Sequence, residues 1–440
     1  MKNTAIEKFC DWGMVFSLCA LIFVLPVSIA LLDSFAGLTI FFYFLKKINR
    51  MCLDWPVSTS QMNLLSKIRF IWKSFSPPDN FLNRPLQFLS LAVFISVIFS
   101  QYPALSLAAF VGKFLKCIFL YFSFIEAFSD EKRIRIFLAL FMLSAFVTIL
   151  SGIVQYCQGH DFLKRHSFAG GRINASFFTA NGFGAYLLPV IGLVACLSFA
   201  AIVRQRSWIL GGVLILFLVL SLTCLCWTYS RSSWVGFLAI IFVMFLLDRR
   251  KALLAGALLL VFILTFLPSL HYVRHLHLIN DINSDQNENT PFNLKPLLRQ
   301  GGSGRHDFWK KAISIIRSSP VYGTGLNTYS RVIKRDHNLA EQWYAHNSYL
   351  QMTAETGLLG LACFLWMLFV LLRYGLVYCK QFEDYWPLTY LQGSVAGLFG
   401  YLIQSFFDNT FYSVQLSVLL WTLIGLMVAI TRLKLTREGA

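Results

Sequence analysis

Long apolar runs recur from one end of this chain to the other, and only a bilayer gives such runs a solvent. Of 440 residues, 57% are hydrophobic and 13% charged, against roughly 25% charged in an ordinary soluble domain. A helix crosses the hydrocarbon core with about 20 predominantly apolar residues. Inside lipid every backbone N–H and C=O must be satisfied within the segment, and runs of this length achieve that as helices. The chain divides into about twelve such spans. Their centres fall near Ile22, Thr39, Phe94, Cys117, Ala145, Ile191, Phe217, Ile240, Leu260, Leu361, Gly397 and Leu420. The expected fold is therefore an all-α polytopic membrane protein. About nine spans lie in residues 1–270, a large loop in 271–345 and about three spans in 346–440, all within one membrane domain.

The second span is the delicate one, because its run is short and Asp33 stands near its start. Without it everything downstream would change sides, so the distribution of charge has to arbitrate. With the N-terminus in the cytoplasm, the inner connections are Lys46–Arg84, Asp130–Arg135, Arg204–Arg206, Asp248–Lys251, Arg373–Asp384 and Thr431–Ala440. They gather many of the Lys and Arg close to span ends, as the positive-inside rule requires. The net charge of +17 is accounted for in this way, with no nucleic-acid partner. Both termini are expected inside. The first run follows Lys2 and Lys8 and passes Pro26 with no small-residue cleavage site, so it reads as a retained span. The ten cysteines are scattered, mostly in apolar runs. They read as small buried hydrophobes rather than a disulfide framework or metal site.

One polar segment, His271–Ala345, is too long for an ordinary connection. Long loops translocate largely regardless of their charge, so its Lys and Arg do not contradict an outer placement. Asn280–Asn289 is its most polar part. From Asp307 to Ser318, Phe308, Trp309, Ile313 and Ile316 recur at near-helical spacing. They predict a short amphipathic helix lying on the membrane or capping the bundle. Ser319-Pro320 and Gly323-Thr324-Gly325 supply the turn chemistry that ends it.

In this topology the informative cations are those on the outer side. Arg172, Arg231 and Arg305 each stand in a short polar motif, on three different connections. A guanidinium binds phosphate oxygens bidentately, which an ammonium cannot do. Three of them converging would suit a diphosphate. Singly, each serves as well to reach headgroups or to cap a helix C-terminus. His346, followed by Asn347, opens the tenth span. An imidazole is the side chain best suited to accept a proton near neutral pH, although a lone histidine more often caps a helix. Lys113 and Lys116 lie three apart on the fourth span and can face the same cavity, or Lys116 can reach the headgroups. No Asp-x-Asp pair or His/Glu cluster suited to a divalent metal stands on the outer face. No Gly-rich phosphate loop or serine-nucleophile motif appears. The outer carboxylates near membrane entrances are Asp307, Asp336, Glu341 and Asp408. The chemistry implied is arginine-assisted transfer with no metal or other cofactor.

Five motifs occur in a fixed order: Arg172-Ile-Asn-Ala-Ser-Phe-Phe-Thr-Ala-Asn181-Gly, Thr228-Tyr-Ser-Arg231, Gly304-Arg305-x-x-x-Trp309, Pro320-x-x-Gly323-x-Gly325 and His346-Asn347-Ser-Tyr-Leu-x-x-x-x-Glu355-x-Gly357-x-x-Gly360. The set resembles the O-antigen ligase and polymerase superfamily, with Ala180-Asn181 standing where family members often carry Pro-Asn. The resemblance implies transfer of a glycan from undecaprenyl diphosphate to an acceptor hydroxyl, on the periplasmic face of a bacterial inner membrane. In ligases of lipopolysaccharide biosynthesis the acceptor is lipid A–core, and in polymerases it is another lipid-linked repeat. Arg172, Arg231 and Arg305 would hold the diphosphate, and His346 would activate or orient the acceptor hydroxyl. Asn181, Asn347, Lys113 and Lys116 are supporting candidates. A direct displacement would invert the anomeric centre. A lipid-linked glycan transporter is the rival, but transporters commonly show paired repeats and charges near the midplane. Here the unusual charges gather at one face.

Overall fold

The computed structural model describes residues 5–54, 63–167, 171–251, 256–264, 303–337, 344–382 and 385–438. Its long elements are helices: α1 (Ala5–Val24), α2 (Ile29–Leu53), α3 (Leu64–Phe75), α4 (Asn83–Ile98), α5 (Pro103–Ala127), α6 (Glu131–Gln158), α7 (Ala180–Arg204), α8 (Trp208–Trp227), α9 (Arg231–Leu247), α10 (Ser303–Ser318), α11 (Tyr329–His337), α12 (Ser348–Gln381), α13 (Tyr385–Gln404) and α14 (Val414–Glu438). Residues 256–264 add a short helical stretch. Among the described residues, seven helices are long and apolar enough to cross a membrane: α2, α5, α6, α7, α8, α12 and the Val414–Leu433 part of α14. The protein is thus polytopic, and α4 and α9 are shorter apolar helices beside these.

The second apolar run forms a continuous helix of 25 residues in spite of Asp33. The carboxylate there is met by Lys116 Nζ at 2.7 Å, which removes the cost of leaving it alone near an apolar helix. The same helix continues through Lys46, Lys47 and Arg50, so the basic start of the predicted inner connection is helical. Lys46 and Lys47 are buried against neighbouring carboxylates rather than solvated.

The middle of the bundle is α7, buried along nearly its whole length and packed most closely on α13. A Cβ added to Gly192 would come 2.6 Å from the backbone nitrogen of Gly397. Small residues that let backbones approach in this way are the usual cement between membrane helices, where the hydrophobic effect cannot distinguish neighbour from lipid.

The described part of the polar loop caps one end of the bundle. Ala312 and Ile315 of α10 and Tyr329, Val332 and Ile333 of α11 form a small core with Ala345 and Ala354. Helix α10 begins four residues before the predicted start, and Ile313, expected on its apolar face, is 39% exposed. The buried stripe is set instead by Ala312 and Ile315. Asn280–Asn289, His271, His275, His277 and Glu341 lie outside the described residues.

Candidate active site

The capped end is where α7, α9 and α12 begin, and the candidate residues stand at these beginnings. Between α6 and α7 the chain turns back on itself through Arg172–Ser176. Gln155, near the end of α6, organises that turn: its Oε1 accepts from Asn174 N at 3.0 Å and Ala175 N at 2.8 Å, and its Nε2 donates to Asn174 Oδ1 at 2.7 Å. Ala175 has φ 45°, a left-handed conformation that costs a residue with a Cβ roughly 1–2 kcal/mol. Tyr229, Asn327 and His346 share this conformation, with φ 47°, 62° and 48°. Strain of this kind gathers where neighbouring structure over-determines the backbone, as at binding sites.

Arg172 is half-buried and held from two sides. Its Nε donates to Thr228 O at 2.8 Å and its Nη2 to Asn181 Oδ1 at 2.7 Å. Asn181 in turn offers its carbonyl to Gln404 Nε2 at 2.8 Å, which ties α7 to the end of α13. Burial lowers the Arg172 pKa below the usual arginine value. Asp408 acts in the opposite sense, and the nearby guanidiniums of Arg305 and Arg231 add to the lowering. Three arginines from three separate connections therefore share one electrostatic environment. Arg231 is the first residue of α9, after the N-cap Ser230, and its side chain is exposed. Helix N-termini carry partial positive charge, so α7 and α9 reinforce the guanidiniums toward an anion.

Arg305 lies in the first turn of α10, and Phe308, one turn on along the same face, places its ring 5.5 Å from the His346 ring. Asn347 caps α12, its Oδ1 accepting from Tyr349 N and Leu350 N at 3.0 Å each. The structure thus gives Asn347 a capping role that fixes the backbone just after His346. Ser348 binds the next connection, its N donating to Ser405 O at 2.9 Å and its Oγ to Asp408 O at 2.8 Å. This brings Asp408 Oδ1 to 3.9 Å from His346 Nδ1. A carboxylate there orients the imidazole and leaves Nε2 for another partner, although the distance is longer than a formed hydrogen bond. In sequence Asp408 was one of four outer carboxylates with nothing to single it out.

Lys113 and Lys116 stand on the wall of an apolar cavity. Leu89, Phe114, Phe364, Phe411 and Trp421 line it too. Lys113 Nζ donates to Asn327 Oδ1 at 2.9 Å and Lys116 pairs with Asp33. His306 is exposed on α10. Among the described residues, no three His, Cys, Asp or Glu side chains gather so as to hold a metal ion.

Residues 216–365 match the model of the O-antigen ligase family. The chain is also similar to a Rickettsia felis protein named "Putative polysaccharide ligase", with 27% identity over 378 residues that cover 82% of this chain and 86% of that protein. The fold and these likenesses define a membrane enzyme, a glycan-transferring ligase. Residues 216–365 carry the likeness to the O-antigen ligase family. The matched region takes in Arg231, Arg305 and His346 and stops short of Arg172 and Asn181, which Thr228 O and the Arg172–Asn181 contact join to it.

Proposed function

We propose that the protein transfers a glycan from undecaprenyl diphosphate to an acceptor hydroxyl, with lipid A–core as the acceptor, at the periplasmic face of a bacterial inner membrane. The chain crosses the membrane about twelve times with both termini in the cytoplasm. The observation that carries this reading is the convergence of Arg172, Arg231 and Arg305 beside the His346–Asp408 pair, at an end of the bundle built from helix N-termini. An apolar cavity with Lys113 and Lys116 on its wall suits a lipid carrying a phosphate.

The anomeric carbon of such a donor is already activated by its diphosphate. The acceptor oxygen attacks that carbon as the bond to the diphosphate oxygen breaks, and undecaprenyl diphosphate leaves. Charge accumulates on the leaving group, and fixed guanidiniums stabilise it without reorganising. The hydroxyl proton passes to His346 Nε2, with Asp408 behind Nδ1. Holding two membrane-bound substrates in one geometry supplies much of the remaining advantage. The displacement is direct, so the linkage inverts, and no metal is needed.

Deleting the gene and analysing the surface glycans tests the reading. Complete loss of polymer from lipid A–core is the expected result. A single repeat left attached would make the enzyme a polymerase, and unchanged glycans with a lost transport activity would overturn transfer altogether.

A further inference from the structure

Glu355 takes no part in the transfer step, yet it is 1% exposed on α12 and bonded from several directions. Its carboxylate accepts from Asn327 N at 2.7 Å, Tyr329 N at 3.3 Å and Gln351 Nε2 at 3.4 Å. None of these donors is a cation. Two of them are backbone groups of the turn that leads from α10 into the first residue of α11. That turn is wedged into α12: Leu358 N donates to Pro320 O at 2.8 Å and Gly325 N to Glu355 O at 2.9 Å. The helix accommodates it through a non-helical Gly357 with φ 70°, where an added Cβ would strike the Val321 carbonyl.

Asn327 is the residue the turn presents. Its N–H is fixed by Glu355, its φ is 62°, and its Oδ1 accepts Lys113 Nζ at 2.9 Å. Lys113 stands on a π-helical turn, Phe110–Leu115, inside α5, a widening often found at functional positions. Its neighbour Lys116 is engaged with the Asp33 carboxylate. Lys113 is steered by a neutral amide, which orients an ammonium without cancelling its charge.

We propose that Glu355 is a positioning residue: it locks the Asn327 turn so that Asn327 holds Lys113 at the wall of the apolar cavity, where the ammonium meets a phosphate of the lipid-linked donor. The inference rests on the donor reading given above. It assigns a buried carboxylate a role in donor affinity, exerted through two other residues.

The test uses the full-length enzyme in lipid nanodiscs with a polyprenyl-diphosphate-linked glycan as donor, reading donor KM, kcat and Tm. Asn327→Gly is the informative variant, since it keeps the N–H to Glu355, accepts the left-handed backbone and removes only the amide. Asn327→Gly and Lys113→Met should each raise donor KM roughly tenfold, the size of one charge-assisted contact, with kcat and Tm unchanged. Glu355→Gln should raise it similarly, and Glu355→Gln with Lys113→Met should be no worse than Lys113→Met alone, because residues acting in one chain are non-additive. A normal donor KM in Asn327→Gly, or a Glu355→Gln effect that survives in full on top of Lys113→Met, overturns the positioning role. If Glu355→Gln does not fold, the Asn327→Gly and Lys113→Met pair decides it by the same non-additivity. Arg231→Ala is run beside them. Normal transfer in that variant overturns the donor reading and the positioning role with it, whereas a silent Asn327→Gly next to an inactive Arg231→Ala overturns the positioning role alone.

Discussion

Cations gather at both ends of this bundle, and the two gatherings are built on opposite plans. Where α1 begins and α2 and α5 end, Lys46, Lys47 and Arg50 face Glu7, Asp11 and Glu126. Glu126 lies 2.9 Å from Lys46 and 3.2 Å from Lys47, and Glu7 lies 2.6 Å from Arg50. Asp11 completes the set through Lys46. Three cations meet three carboxylates, all of them buried or half-buried. At the capped end, Arg172 has one carboxylate and two further guanidiniums in its electrostatic surroundings. Its own hydrogen bonds go to a carbonyl and an amide. A balanced network in low dielectric ties helices together. A cluster weighted toward one sign costs stability until an anion arrives, so the difference separates a structural device from a binding site.

The comparison breaks most visibly at the arginines. Replacing Arg231 and Arg305 by Ala should leave membrane insertion intact and lower transfer by roughly 10²–10³-fold for each, the range for removing one preorganised donor to a developing charge. The double variant should show no transfer in a surface-glycan assay, and normal transfer there would leave the cluster without a function. Next in size is His346→Gln, which should lower kcat by roughly 10²–10⁴-fold, the usual contribution of general acid–base catalysis. Donor KM should hardly change, because the imidazole addresses the acceptor. A rise in donor KM at constant kcat would move His346 from the acceptor to the diphosphate.

How much of this contrast could be read from the residues alone follows from what each group depends on. Apolar runs dictate helices because lipid offers no other partner for the backbone, so all twelve expected centres fall within helices. Arg172, Arg231 and Arg305 stand out because the charge bias assigns them to the outer side, where it does not favour cations. Asp408 and Asn327 do not stand out. Asp408 reaches His346 only because Ser348 bonds its carbonyl, and Asn327 reaches Lys113 only because a turn is wedged into a kinked helix. Both depend on contacts between segments 60 or more residues apart, and periodicity is blind to these. The balanced network was equally hidden: Lys46, Lys47 and Arg50 read as the start of a connection, while their partners Glu7, Asp11 and Glu126 belong to other helices.

At the balanced end the expected loss is of stability. Glu126→Ala removes the carboxylate shared by Lys46 and Lys47, and breaking a buried ion pair costs about 3–5 kcal/mol. Thermal unfolding of the detergent-solubilised protein should shift down sharply, while kcat per folded molecule stays where it was. A variant that keeps its Tm but loses transfer would show that this network reaches the chemistry.

The smallest effect separates the two ends without any substitution. The screening length falls from about 10 Å at 0.1 M salt to about 3 Å at 1 M, and buried pairs are screened far less than exposed ones. Arg231 is exposed and Arg305 half-buried, whereas Lys46 and Glu126 keep only 4% and 8% of their side-chain surface. Raising salt across that range should therefore increase donor KM a few-fold and leave Tm nearly constant, because attraction of a diphosphate passes through solvent and the balanced network does not. The reverse pattern, a falling Tm with an unchanged donor KM, would mean that the charges of the balanced network are the solvated ones and that the arginines meet their ligand already desolvated.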